Sequence, residues 1–113
     1  MTIQYKNQGI NLSTTGTTSV FTAPSNATIL IKQIQINNGS TGAVNLSVQV
    51  TDASASATFR IFNQSLTASS TTDIINHTLI LEASDILKMT AGTADEIQGI
   101  ISYARIDRSQ ENG

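Results

Sequence analysis

Residues Val44-Asn45-Leu46-Ser47-Val48-Gln49-Val50-Thr51 alternate apolar and polar without a break. Successive side chains of a strand point to opposite faces, so Val44, Leu46, Val48 and Val50 share one face and the polar residues share the other. A helix would scatter those four apolar side chains around its surface, and β-branched valine loses rotamer freedom there. The segment reads as a half-buried antiparallel strand.

The same reading extends along the chain. In Thr28-Ile29-Leu30-Ile31-Lys32-Gln33-Ile34-Gln35-Ile36 the apolar parity changes between Ile31 and Ile34, which predicts a bulge or a stretch buried on both faces. The connection Asn37-Asn38-Gly39-Ser40-Thr41-Gly42 is rich in residues that tolerate positive φ, so the two strands around it are expected to form a hairpin. Upstream, Ser19–Ala23 is a strand stopped by Pro24, with a turn over Pro24-Ser25-Asn26. Downstream, strands are expected at Thr58–Asn63, Asp73–Asn76, Leu79–Leu81, Ile86–Thr90 and Glu96–Ile106, with a turn at Glu82–Asp85. That makes about eight short strands with frequent turns and no helical period. An all-β fold follows: one antiparallel β-sandwich of jelly-roll type spanning residues 1–113, with the order of strands in the sheets left open. Residues 1–10 are expected as a short N-terminal arm and 107–113 as a mobile, charged tail.

Composition narrows the function classes. With 113 residues there is room for one core. Only 12% of the residues are charged, and 16 Thr, 13 Ser, 9 Asn and 8 Gln take up the difference. No apolar run approaches the roughly 18 residues of a membrane-spanning helix. The absence of cysteine removes disulfides, thiolate metal sites and cysteine nucleophiles. A net charge of −2 with 6 basic residues argues against a basic nucleic-acid surface.

Two stretches carry a family resemblance. They are Val20-Phe21-Thr22-Ala23-Pro24-Ser25 leading into Thr28–Asn38, and Leu79-Ile80-Leu81-Glu82-Ala83-Ser84-Asp85-Ile86-Leu87-Lys88-Met89-Thr90-Ala91. Both resemble small β-sandwich virion structural proteins of tailed bacteriophages, especially phages of marine bacteria and cyanobacteria. Ser84 departs from that pattern, which has glycine before the aspartate. The resemblance implies an architectural role as a head decoration (cement) protein, or else a neck or tail appendage subunit. It also implies a homo-oligomer, with a trimer favoured, made in the host cytoplasm and carried on the capsid exterior with the major capsid protein as partner. A carbohydrate-binding module is the alternative from another class, weakened by 3 Phe, 2 Tyr and no Trp. No nucleic-acid or membrane partner is expected.

The chemistry-bearing residues support no enzyme. His77 stands alone with Asp73 four residues before it, and no G-x-S-x-G nucleophile turn accompanies it. The carboxylates Asp52, Asp73, Glu82, Asp85, Asp95, Glu96, Asp107 and Glu111 match no calcium loop, and a glycosidase pair among them would lack aromatic sugar-binding walls. Gly39, Gly42, Gly92 and Gly99 have no phosphate-binding spacing. Asn11, Asn26, Asn38, Asn45, Asn63 and Asn76 begin N-x-Ser/Thr triplets, as a Ser/Thr-rich composition produces by itself. No catalytic, cofactor-binding or metal-binding residue is assigned, and no cofactor. Asp85 is expected to accept backbone N–H groups in its turn. Phe59 and Phe62 have opposite parity, so one should enter the core and the other face outward. Lys32, Arg60 and Lys88 lie within strands, where an outward charge discourages stray pairing.

Overall fold

A computed structural model describes residues 2–107. Its strands are β1 (Thr2–Leu12), β2 (Thr18–Thr22), β3 (Ala27–Asn38), β4 (Val44–Asp52), β5 (Ala57–Leu66), β6 (Ser70–Asp73), β7 (Leu79–Leu81), β8 (Ile86–Ala91) and β9 (Ile97–Asp107). They form two antiparallel sheets. One runs β1-β9-β3-β6, with β7 also on β3, and the other runs β2-β8-β4-β5. β9 pairs along the whole of β3, so β6 and β7 follow one another along the opposite side of β3, at Gln35–Asn38 and Ile29–Ile31. Every connection except β4–β5 and β6–β7 carries the chain to the other sheet, the double Greek-key course of a jelly roll.

The core lies between the sheets. Ile29, Ile31, Ile34 and Ile36 of β3, with Ile97 and Ile101 of β9, face Val44, Leu46 and Val48 of β4 and Leu87 and Met89 of β8. Each such side chain contributes roughly 1.5–3 kcal/mol by leaving water. The valine strand behaves as its alternation requires, with Val50, nearer the strand end, half-buried. The parity change in β3 is a bulge. Ile31 pairs Tyr103 and Gln33 pairs Ser102, so exposed Lys32 is the extra residue, and it brings all four isoleucines to one face. Gly99 is required by close approach: a Cβ there would collide with the Gln35 carbonyl oxygen and press on Ile36 Cδ1 at 2.7 Å.

The structure corrects several local expectations. β3 and β4 are not a hairpin. They lie in opposite sheets, and Gly39–Ala43 crosses the end of the sandwich between them. The expected arm is strand β1, paired with β9 from Thr2 to Leu12. The strand expected at Asp73–Asn76 is displaced to Ser70–Asp73, because polar side chains suit an edge, while Ile74 drops into the core and donates its N–H to the Ile34 carbonyl at 3.0 Å. Of the expected tail, only Asp107 lies within the described residues, at the end of β9.

Val48 is fully buried in β4 and its neighbour Gln49 half-buried. Val48→Asp should cost more than about 3 kcal/mol by burying an unpaired charge. Gln49→Lys should stay within about 1 kcal/mol of the parent. Urea denaturation of both variants checks the register.

Candidate functional site

Asp52, Asp73 and Asp85 use their carboxylates to hold loops. At one end of the sandwich, Asp85 is 4% exposed and accepts from Glu82 N–H through Oδ2 at 2.8 Å and from Ala53 N–H through Oδ1 at 2.9 Å. One carboxylate thus holds the β7–β8 turn and the β4–β5 loop together. Backbone bonds from Ala23 N–H to Asp85 O and from Ser84 N–H to Ala23 O add the β2–β3 loop. The turn reading of Asp85 holds, but its reach to Ala53 is tertiary. Ser84 adopts φ 67°, the left-handed region in which glycine would be unstrained.

Asp52 and Glu82 approach Asp85, with one oxygen of each within 4.8 Å of the others. This grouping was not visible in the sequence, because 30 residues separate Asp52 from Glu82. Asp52 Oδ1 accepts from the Ser54 hydroxyl at 2.8 Å, Ser54 N–H at 3.1 Å and Ala55 N–H at 3.3 Å. These bonds, the Ser54 hydroxyl first, hold its carboxyl below the ordinary value of 3.8. The cluster is accounted for as loop closure: both Asp85 oxygens accept backbone N–H groups, and Asp52 Oδ1 accepts the Ser54 hydroxyl and two backbone N–H groups of its own loop.

At the other end, Asn38 is fully buried. Its Nδ2 donates toward the carbonyls of Gly42, Leu66 and Thr67 at 3.2, 3.2 and 3.3 Å, while Oδ1 accepts from Ser40 N–H at 3.0 Å. Gly39 N–H to Glu96 O and Asp95 N–H to Leu12 O tie in the β8–β9 loop. The pairs Asp95–Glu96 and Glu82–Asp85 therefore sit at opposite ends, too far apart to attack one glycosidic bond.

No catalytic constellation forms among the described residues. Asp73 turns to Ile75 N–H, and His77 is exposed in the β6–β7 loop. A cleft of about 310 Å³ opens between the sheets, lined by Gln8, Ser19, Thr22, Pro24, Tyr103 and Arg105 among others. Phe21 and Tyr103 meet beside it edge-to-face, with ring centroids 4.7 Å apart. Arg105 is its one ionised group and pairs with Asp107 at 2.8 Å, so the cleft holds no acid–base pair.

Among the exposed side chains are several large apolar ones, two of them at the ends of a row in which Leu30 is half-buried and Ala104 buried. On the outer face of the five-stranded sheet a row crosses four strands as Tyr5–Ala104–Leu30–Ile80, flanked by Ile3 and Ile106. Tyr5 is 83% exposed, Ile80 58% and Ile3 52%. On β5, Phe62 packs on the core and Phe59 is exposed, as the parity reading expected. The reason differs. A bulge at Ile61 sets Phe62 opposite Val48 and Phe59 opposite Val50, at the half-buried end of β4. Lys32 and Arg60 are exposed and Lys88 is half-buried. The β1 surface was missed because Ile3 and Tyr5 face outward while Ile10 and Leu12 face the core, so no single apolar parity marks the strand.

No protein-family profile and no curated protein matches the chain. Solved structures match in fold. One is described as the acidic stable capsid structure of Helicobacter pylori bacteriophage KHP30, with TM-score 0.57 and 11% identity over 96% of this chain and 90% of that one. A structure of infectious bursal disease virus, Gx strain, has TM-score 0.56 and 10% identity over 95% of this chain, which spans 33% of that protein. A Bacillus endospore appendage, from a family of disulfide-linked pili, has TM-score 0.54 and 13% identity over 96% of this chain and 90% of that one. The likeness is one of fold.

Asp85→Asn keeps one acceptor and leaves one N–H without a partner, and should cost about 1–3 kcal/mol in denaturant melts. Asn38→Asp should cost more, because a buried charge would face three carbonyl oxygens. Ser84→Gly should be neutral to about 1 kcal/mol stabilising and Ser84→Val destabilising. Since the folded Asp52 pKa is depressed, its contribution is present above the unfolded value of about 4 and lost as pH falls through the folded one. Asp52→Asn should therefore flatten the acid limb of a stability–pH curve.

Proposed function

We propose that this chain is a non-enzymatic virion structural protein, a decoration or cement subunit bound to the major capsid protein on the outside of a phage head. The observation that carries the reading is the partly apolar outer face of the five-stranded sheet, where Lys32 and Asp73 are the exposed charges, on a sandwich whose buried polar groups are spent on its own loops. The resemblance of the Val20–Asn38 and Leu79–Ala91 segments to phage virion proteins supports it, as does the likeness to a chain in a phage capsid structure. The exposed aromatics Tyr5 and Phe59 stand on edge strands of different sheets and make no sugar-stacking platform.

Such a surface binds through hydrogen bonds and small apolar contacts, each hydrogen bond worth about 0.5–1.5 kcal/mol net. One subunit on one capsid protein is then weak. A homo-oligomer, a trimer by the family resemblance, would touch several capsid subunits at once and gain factors of roughly 10²–10⁴ from effective concentration. Binding follows lattice spacing, so the finished, expanded shell is preferred over loose subunits. With few charges involved, salt matters little.

The test is co-sedimentation of purified protein with stripped, expanded heads and with unassembled capsid subunits across a salt series. The expected result is binding to heads only, unchanged from low to moderate salt. Equal binding to loose subunits, or loss at moderate salt, contradicts the mechanism. No binding to heads moves the protein to the neck or tail, where its copy number per particle would be about 6 to 12.

A further inference from the structure

The four sheet edges are not equally protected. β2 has five residues and a register break between Ser19 and Phe21. β5 carries the bulge at Ile61 next to Arg60. The third edge is broken into the short pieces β6 and β7. β1 differs: eleven residues in unbroken register with β9, no proline, and Lys6 as its one charge. Residues 2–9 are exposed, and Ile3 and Tyr5 stand on the outer face. A long, unguarded edge of this kind templates pairing with another strand.

We propose that β1 is a self-association edge: Thr2–Lys6 pairs antiparallel with the same residues of a second copy about a two-fold axis at Gln4. Two five-stranded sheets then become one continuous sheet. The contact does not depend on where the protein sits in a particle, and it is distinct from any ring contact.

A second copy is the occupant that fits, because an antiparallel pair of identical strands is self-complementary about a two-fold axis. The side chains select the register. With Gln4 on the axis, each Ile3 lies opposite Tyr5 of the second copy, joining the two apolar rows. Each Thr2 lies opposite Lys6 of the second copy. Thr2 is also paired with Asp107 on β9, so that lysine stands two strand spacings, about 10 Å, from Asp107 and shares, over the short threonine, the carboxylate that Arg105 already pairs. With Tyr5 on the axis, Lys6 would instead face Gln4, the partner of Arg105. With Lys6 on the axis, the two lysines would oppose each other. Both alternatives bring like charges together.

The chain contains no cysteine, so single-cysteine variants report one position each. Gln4→Cys, Asn7→Cys and, on the β5 edge, Asn63→Cys would be oxidised under mild conditions and followed on non-reducing gels. Gln4→Cys should form the disulfide dimer at least about tenfold faster than the other two, because pairing raises the local concentration of the second thiol. Adding Tyr5→Lys to Gln4→Cys should abolish that advantage without moving the thermal midpoint, since Tyr5 is exposed. Equal rates at all three positions, fastest dimerisation at Asn7→Cys, or an advantage that survives Tyr5→Lys would overturn the proposal.

Discussion

Loops that cross the ends of this sandwich carry backbone groups to the rim of the core, and those groups must find partners there. Two buried polar side chains meet that demand among the described residues, one at each end. Asn38 offers donors to three carbonyls and an acceptor to one N–H. Asp85 offers two acceptors to two N–H groups. The chemistry at each end is complementary: an amide where carbonyls converge, a carboxylate where N–H groups converge. The apolar core holds the sheets face to face, and these two residues fix which loops meet at its ends.

The same arrangement explains what engages the acidic groups at these loops. Asp52, Glu82 and Asp85 come together because the β4–β5 loop and the β7–β8 turn share one end of the sandwich. Asp85 is engaged by the backbone and Asp52 by its own loop. What remains exposed is the outer surface of the sheets and their edge strands, on a chain with only 12% charged residues.

Legibility in the sequence followed the range of the cause. Alternation in β4, the bulge at Lys32, the turn after Pro24 and the Asp85 turn are encoded within a few neighbours, and the structure has them. The β3–β4 connection failed for a physical reason. Residues that tolerate positive φ mark where a chain bends, and the same bend serves a hairpin or a crossing between sheets. Strand β1 was hidden because its apolar residues change face between Tyr5 and Ile10, one set serving the outer surface and the other the core. The meeting of Asp52 with Glu82 and Asp85, and the apolar row from Tyr5 to Ile80, arise only when distant strands pair. Local pattern carries no record of them.

We propose that this jelly roll acts as an architectural surface of a virus particle. An electron-microscopy map of phage particles assembled with the gene for this chain present tests the proposal most directly. The account predicts density for a two-sheet sandwich repeated over the outside of the head, with the outer face of the five-stranded sheet or the β1 edge in contact with neighbouring subunits. Particles that contain none of the protein, or that hold it with both of those surfaces turned to solvent, would contradict it.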